Sequence, residues 1–265
     1  MNKYGLVFAT SLKQEKDTVV DTLLRVISLG FIMFILVQLW SYIYGESGAN
    51  SVINGYTLEQ MLWYLLVTET IASSAKQSQI TKKISNEIKS GGIAYKINKP
   101  YNFYLYNIAD FMAKSIWMLA FMVPFALVIG FTLIGTIDSF SVIQIIPSLI
   151  VLILSILLIW VLYGILGLIS FWVEDSTPFT WIMQKFLLLF GLLFPLEFFP
   201  KSIQPIITYS PIYSIYSGPA KLIASYSLEL FLQVLISQVV WSIILIVLGL
   251  FIYKKGRKKV NANGG

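Results

Sequence analysis

The chain has 265 residues, of which 57% are hydrophobic and 12% are charged, with a mean hydropathy of +0.77 and a net charge of +6. This balance is far from that of a water-soluble globular domain. Cysteine and histidine are both absent, which excludes disulfides, thiol nucleophiles, imidazole bases and the commonest zinc ligands.

The N-terminal stretch from Tyr4 to Val20 precedes the first long apolar run. It places Tyr4, Phe8 and Leu12 four residues apart, with polar residues after them. This spacing predicts a short helix that lies in the membrane interface. A frayed polar tail is the alternative, because the apolar stripe is short.

Six apolar segments are long enough to be considered as membrane crossings, since about 20 residues of helix span the hydrocarbon core of about 30 Å. They are residues 23–44, 57–74, 106–134, 145–172, 179–194 and 230–253. The sequence therefore predicts an all-α integral membrane protein with six transmembrane helices, of which the second and fifth are short.

Positive charges lie on alternate sides of these segments. One side carries fifteen Lys and Arg residues: Lys3, Lys13, Lys16, Arg25, Lys76, Lys82, Lys83, Lys89, Lys96, Lys99, Lys254, Lys255, Arg257, Lys258 and Lys259. The other side carries Lys201 and Lys221. The positive-inside rule then predicts a cytoplasmic-membrane protein with both termini in the cytoplasm. The same distribution accounts for the net charge without a nucleic-acid partner.

The long connection between the second and third spans, Ser78 to Tyr104, contains a helix of its own. Ile80, Ile84 and Ile88 recur every four residues, and Gly91 and Gly92 end the pattern. Such an amphipathic helix needs a cover for its apolar face. The residues alone leave open whether that cover is the bilayer surface or a partner protein.

The stretch from Gly191 to Leu230 is apolar but contains five prolines. They are Pro195, Pro200, Pro205, Pro211 and Pro219. Proline interrupts a continuous helix, and the aromatic content is too high for a solvated loop. We therefore expect short re-entrant or interfacial helices on the outer side. Glu197 lies among the prolines, either in a water-accessible vestibule or in the headgroup region.

The order of these features resembles the membrane subunit of type-2 ABC exporters. Glu87 to Tyr106 (EIKSGGIAYKINKPYNFYLY) is similar to the family's coupling segment, with Lys99 where Arg is commoner, and Phe194 to Tyr213 is similar to its re-entrant outer segment. The resemblance implies ATPase-coupling residues at Ile80, Ile84, Glu87, Ile88, Lys89, Gly91, Gly92, Lys99 and Pro100. It also implies an outer segment built on Pro195, Glu197, Pro200, Pro205 and Pro211.

By this resemblance the chain forms one permease domain over residues 1–260, with a polar tail at 261–265. It supplies half of a twelve-helix pathway, beside a second permease chain, identical or homologous, within the lipid bilayer. The phosphate-binding motif GxxxxGK followed by Ser or Thr is absent. Catalytic, cofactor and metal sites are thus not expected on this chain, and ATP and Mg²⁺ belong on separately encoded ATPase subunits.

Charged residues also occur inside the predicted spans. Glu69 in the second span and Lys114 in the third lie at comparable depth in antiparallel neighbours, which predicts an ion pair that lowers the cost of burial. An ion-driven secondary transporter would use acidic groups near the membrane centre, where Glu69 and Asp110 come closest. That alternative stays open, as does a six-span assembly or immunity protein without transport activity.

Overall fold

The computed structural model describes residues 3–14, 19–47, 51–75, 77–136, 142–173 and 175–263, and these are almost entirely helical. The helices are α1 (Lys3–Gln14), α2 (Val19–Ser47), α3 (Leu58–Ser74), α4 (Gln77–Lys89), α5 (Ile93–Ile97), α6 (Phe103–Ile129), α7 (Ile145–Leu168), α8 (Thr177–Leu187), α9 (Gln204–Thr208), α10 (Gly218–Ala224) and α11 (Leu228–Asn263). Within the same ranges the sole β pairing is an isolated bridge between Ile53 and Tyr56. The all-α prediction is confirmed.

Four helical stretches are long and apolar enough to cross a membrane. They are Val20–Glu46, Phe103–Ile134, Ile145–Phe171 and Leu228–Lys259. Each contains one of the predicted spans, and two of them end in a different helical form. Helix α6 continues as a π-helix (Gly130–Ile134), and α7 ends in a 3₁₀ turn (Ile169–Phe171). The chain is a multi-pass membrane protein.

The second and fifth predicted spans are shorter helices. Helix α3 has 17 residues, and its N-terminus is closed by a capping box in which Thr57 and Gln60 exchange hydrogen bonds. Helix α8 has 11 residues and continues as a π-helix (Leu188–Leu193). Neither falls among the four long candidate spans.

The core is built around α3 and α7. Residues 61–68 of α3 and 158–168 of α7 are buried without interruption. A helix that is apolar all round belongs in the interior, and these two are surrounded by α2, α6, α10 and α11. The outward faces of α2 and α11 remain apolar and exposed, for example Phe31 at 65% and Val247 at 60%. Such faces suit contact with lipid tails.

Helix α1 packs against the beginning of α6. The Asn102 backbone N–H donates to the Tyr4 hydroxyl at 3.0 Å, and Lys3 Nζ donates to the Pro100 carbonyl. The helix ends at Gln14, so it is shorter than the stretch predicted from the sequence. Residues 15–18 of that stretch lie outside the described residues.

The proline-rich stretch forms several short helices, as expected. Pro195 precedes a 3₁₀ turn (Leu196–Phe198), Pro205 lies in the first turn of α9, and Pro219 lies in the first turn of α10. Pro211 comes two residues before a π-helix (Tyr213–Ser217). Pro195, Pro205 and Pro211 stand at the start of a helical turn, where the missing N–H costs no helical hydrogen bond. Pro219 instead lies inside one continuous helical run over residues 211–224.

Candidate functional site

Helix α4 lies against one face of α7, and small residues of α7 make the close approach possible. A Cβ at Gly167 would fall 2.9 Å from the Ile84 Cβ and 3.3 Å from the Thr81 Cα. A Cβ at Gly164 would fall 3.6 Å from the Ile80 Cδ1. The two glycines therefore form the surface on which α4 rests.

The apolar stripe of α4 is covered by the chain itself, which corrects the expectation that it meets the bilayer or a partner. Ile80 and Ile84 are both 0% exposed, and Ile88 packs partly buried on the same core. Periodicity alone shows that a helix has an apolar face but not which surface covers it. Here the cover is the glycine face of α7.

Polar contacts fix the same interface. Thr81 Oγ1 donates to the Tyr163 carbonyl at 3.0 Å, and Ser170 Oγ donates to Ser85 Oγ at 2.8 Å. All of these atoms are buried, where a lost hydrogen bond is costly. Helix α4 is thus attached firmly to α7 and to the 3₁₀ turn that follows it.

The turn after α4 has the glycine geometry expected from the sequence. Gly91 has a φ of +74°, in the left-handed region that favours glycine. A Cβ at Gly92 would lie 2.8 Å from Glu87 Oε2. Glu87 in turn forms an ion pair with Lys96 across the turn. These residues hold α4 and α5 in a tight hairpin.

The tip of this hairpin is exposed. Tyr95 is 71% exposed, and Lys99 Nζ lies 4.7 Å from the centre of its ring. Pro100 follows, and Asn102 caps α6 by accepting from the Tyr104 and Leu105 N–H groups. Of the coupling residues predicted by resemblance, Ile80 and Ile84 are buried, and Lys89, Gly91 and Pro100 are exposed. The other four are partly buried: Glu87, Ile88, Gly92 and Lys99.

A polar cleft of about 240 Å³ separates α4 from the start of α8. Lys89 Nζ reaches across it to Asp175 Oδ1 at 3.4 Å. The Thr177 backbone N–H that donates to Asp175, with the nearby Lys89 ammonium, lowers the pKa of Asp175 below its ordinary value. This exposed pair is the contact between the α4 hairpin and the α7–α8 connection, of which residue 174 lies outside the described residues.

A buried charge cluster joins α1, α4 and α6. The Asp110 carboxylate accepts from Ser11 Oγ at 2.7 Å and from Lys83 Nζ at 2.9 Å. Lys114 Nζ lies 3.8 Å from the same carboxylate. The predicted pair of Glu69 with Lys114 is corrected, because Lys114 faces Asp110 one turn away on its own helix. The described residues give Glu69 no salt bridge.

A second cluster lies at the other end of the molecule. Glu197 forms an ion pair with Lys221, and the Tyr56 hydroxyl donates to Glu197 Oε2 at 3.0 Å. Burial raises the pKa of Tyr56 well above its ordinary value, and the adjacent Glu197 carboxylate raises it further. The cluster ties the turn before α3 to the proline-rich segment.

The same segment is bound to α3 at a second point. The Tyr64 hydroxyl donates to the Gly191 carbonyl at 2.8 Å and to the Phe194 carbonyl at 3.2 Å. A π-helical end leaves carbonyls without their usual helical donors, and Tyr64 supplies one. These hydrogen bonds fix, relative to α3, the point at which the segment with Pro195 and Glu197 begins.

Sequence reasoning missed the partners in both clusters. From the sequence, Lys83 and Lys221 enter only as charges that set the orientation, and Ser11 and Tyr56 have no predicted role. The available signal was weak: a carboxylate inside an apolar stretch requires a partner, but sequence does not say which basic residue reaches it.

A family model described as "ABC-2 family transporter protein" matches residues 26–264. The chain belongs to the ABC-2 transporter family. The match begins inside α2 and includes α3 to α11, and therefore every cluster described above except the α1 residue of the Asp110 cluster. A search of curated proteins found no match.

As an ABC-2 permease the chain is a membrane component of transport and not itself a catalyst. Members of this family normally work with an ATPase subunit. The described part of the chain contains no group of three acidic residues placed to hold a metal ion.

Proposed function

We propose that this chain is the membrane half-unit of an ATP-driven exporter. Two such chains, identical or homologous, would form a twelve-helix pathway, and separate subunits would bind ATP and Mg²⁺. The observation that carries this proposal is the α4–α5 hairpin of this ABC-2 chain. Ile80 and Ile84 anchor the hairpin on α7, and its polar tip is exposed.

Six membrane crossings are supported by the contacts at the ends of α2 and α3. Arg25 Nη1 donates to the Ser73 carbonyl at one end, and the Tyr44 hydroxyl donates to the Tyr56 carbonyl at the other. The rise of α2 between Arg25 and Tyr44 is about 28 Å, which is close to the hydrocarbon thickness. The short α3 thus covers the same height as a full span.

The α8 stretch is supported as a crossing in the same way. Its start lies beside Asp175, which pairs with Lys89 of the basic hairpin, and its π-helical end is bound by Tyr64 of α3. The following prolines then form an outer segment that re-enters the membrane and closes the pathway, fastened by Glu197 to Tyr56 and Lys221.

The orientation follows from the charges. The α4–α5 hairpin and the end of α11 carry most of the Lys and Arg, so we place them with both termini in the cytoplasm. The hairpin tip then faces the compartment in which ATP is available. Tyr95, exposed and adjacent to Lys99, is the residue that we assign to the contact with the ATPase subunit.

The mechanical path runs through contacts that the molecule already makes. Force on the hairpin passes through Ile84 to Gly167 of α7, and through Lys83 to Asp110 of α6. Asp110 is satisfied by Ser11 and two lysines. Asp110 therefore offers no vacant carboxylate for a coupling ion.

The test is co-purification of this chain from its own cells with the proposed ATPase subunit. Replacing Tyr95 by Asp puts a carboxylate in the proposed contact and should reduce the recovered ATPase at least tenfold. Ser202→Asp adds the same charge at an exposed site in the outer segment and should leave recovery unchanged. Full recovery of the ATPase and full ATPase stimulation with Tyr95→Asp would overturn the assignment of Tyr95 to the contact. ATP hydrolysis by the purified chain alone would overturn the assignment of ATP hydrolysis to separate subunits.

A further inference from the structure

A groove of about 420 Å³ runs between α11 and the segment around α9. We propose that it holds one acyl chain of a membrane lipid, in the leaflet on the side of the proline-rich segment. This inference rests on the membrane location of the chain and not on the coupling to an ATPase.

The groove has a polar end and an apolar floor. Thr208, Tyr209 and Gln233 lie at the end near the start of α11, and Ile236, Val240 and Ile244 continue from there along one face of the helix. The Ser237 hydroxyl on the same face is already engaged with Ser214 Oγ at 2.6 Å. The floor therefore presents mainly hydrocarbon, as an acyl chain requires.

The length of the groove matches one leaflet. Gln233 and Ile244 are eleven residues apart on α11, which is about 16 Å at the rise of an α-helix. Half of the hydrocarbon core is about 15 Å. Tyr209, which is 79% exposed, lies at the polar end, the level where aromatic hydroxyls meet lipid headgroups.

The surroundings favour a lipid chain over a protein partner. The lining contains no charged residue, and it is continuous with exposed apolar side chains on α11 such as Val239 at 43% and Ile243 at 59%. These already form the surface that a multi-pass protein turns to the bilayer.

The experiment uses the full chain in phosphatidylcholine nanodiscs that contain a minor fraction of phosphatidylcholine with a diazirine in one acyl chain. After irradiation, labelled residues are mapped by mass spectrometry. Ile236, Val240 and Ile244 should be labelled at least fivefold more than Leu232, Val239 and Ile243, which lie at similar depth on the same helix. Equal labelling of the two sets would mean ordinary boundary lipid and would overturn the proposal.

Val240→Trp fills the groove and should reduce labelling of Ile236 and Ile244 to the level of the reference set. Val239→Trp adds the same ring outside the lining and should leave the ratio unchanged. Val240 is 46% exposed, so the larger side chain does not disturb a packed core. Ile236→Trp repeats the test at a second point. Undiminished labelling in both filled variants, or cross-linking of these residues to a second copy, would overturn the assignment.

Discussion

Ile84 of α4 rests directly on Gly167 of α7, where a Cβ would come within 2.9 Å of the Ile84 Cβ. The contact leaves no room for another side chain, and it joins the α4–α5 hairpin to a core helix. Members of this family normally work with an ATPase subunit, so a movement of that subunit against the hairpin would reach α7 through this contact.

Gly167→Ala should therefore displace α4. The added methyl group also approaches the Thr81 Cα at 3.3 Å, which is backbone and cannot rotate away. Overpacking of this kind costs about 1–3 kcal/mol, so the thermal unfolding temperature of the purified chain should fall. Gly45→Ala is the control. Gly45 lies in α2, and a Cβ at this position meets nothing within 4 Å. The control should be neutral or stabilising by about 0.5–1 kcal/mol, and equal losses in both variants would contradict the joint.

Asp110 and Lys83 should be energetically coupled. Their ion pair at 2.9 Å joins α6 to α4, and the Asp110 side chain is only 9% exposed. A double-mutant cycle with Asp110→Asn and Lys83→Met should give a coupling free energy of about 1–2 kcal/mol in unfolding measurements. A control cycle combines Glu69→Gln with Lys83→Met, and we expect it to give no coupling free energy. Additive effects of Asp110→Asn and Lys83→Met would show that this ion pair does not couple α4 to α6.

Glu197→Gln should loosen the outer cluster. Without the carboxylate, Lys221 loses its ion pair and Tyr56 loses a charged acceptor. Amide hydrogen exchange should then accelerate in residues 51–56 and 196–198, while α4 stays protected. Glu229→Gln removes an exposed carboxylate from the first turn of α11 and should leave exchange in both segments unchanged. If Glu197→Gln leaves them unchanged as well, the cluster does not hold the outer segment.

The proposed orientation can be tested with single cysteines, because the chain has none of its own. Val52→Cys and Ser202→Cys should react with a membrane-impermeant maleimide in intact cells. Tyr95→Cys should react only after the cells are permeabilised. All three positions are exposed, so a lack of reaction does not reflect burial within the chain. Labelling of Tyr95→Cys in intact cells would reverse the orientation and exclude the hairpin from contact with a cytoplasmic ATPase.

The sequence by itself determined the class of protein and the positions of the helices. In lipid every backbone polar group must be satisfied within a helix, so runs of apolar residues identify spans locally. The positions of α2, α6, α7 and α11 followed from such runs, although α11 continues to Asn263, beyond the predicted end at residue 253. The breaks at Gly91 and at the prolines followed from equally local backbone preferences.

Only the tertiary structure decided which residues meet. The isoleucine stripe of α4 was visible in the sequence, but its cover on Gly164 and Gly167 lies about 80 residues away. Lys114 faces Asp110 rather than Glu69, and Glu197 meets Tyr56 from a segment 141 residues distant. Hydropathy and periodicity report the environment that a side chain requires. The partner that supplies it depends on the depth and rotation of packed helices, which no local pattern encodes.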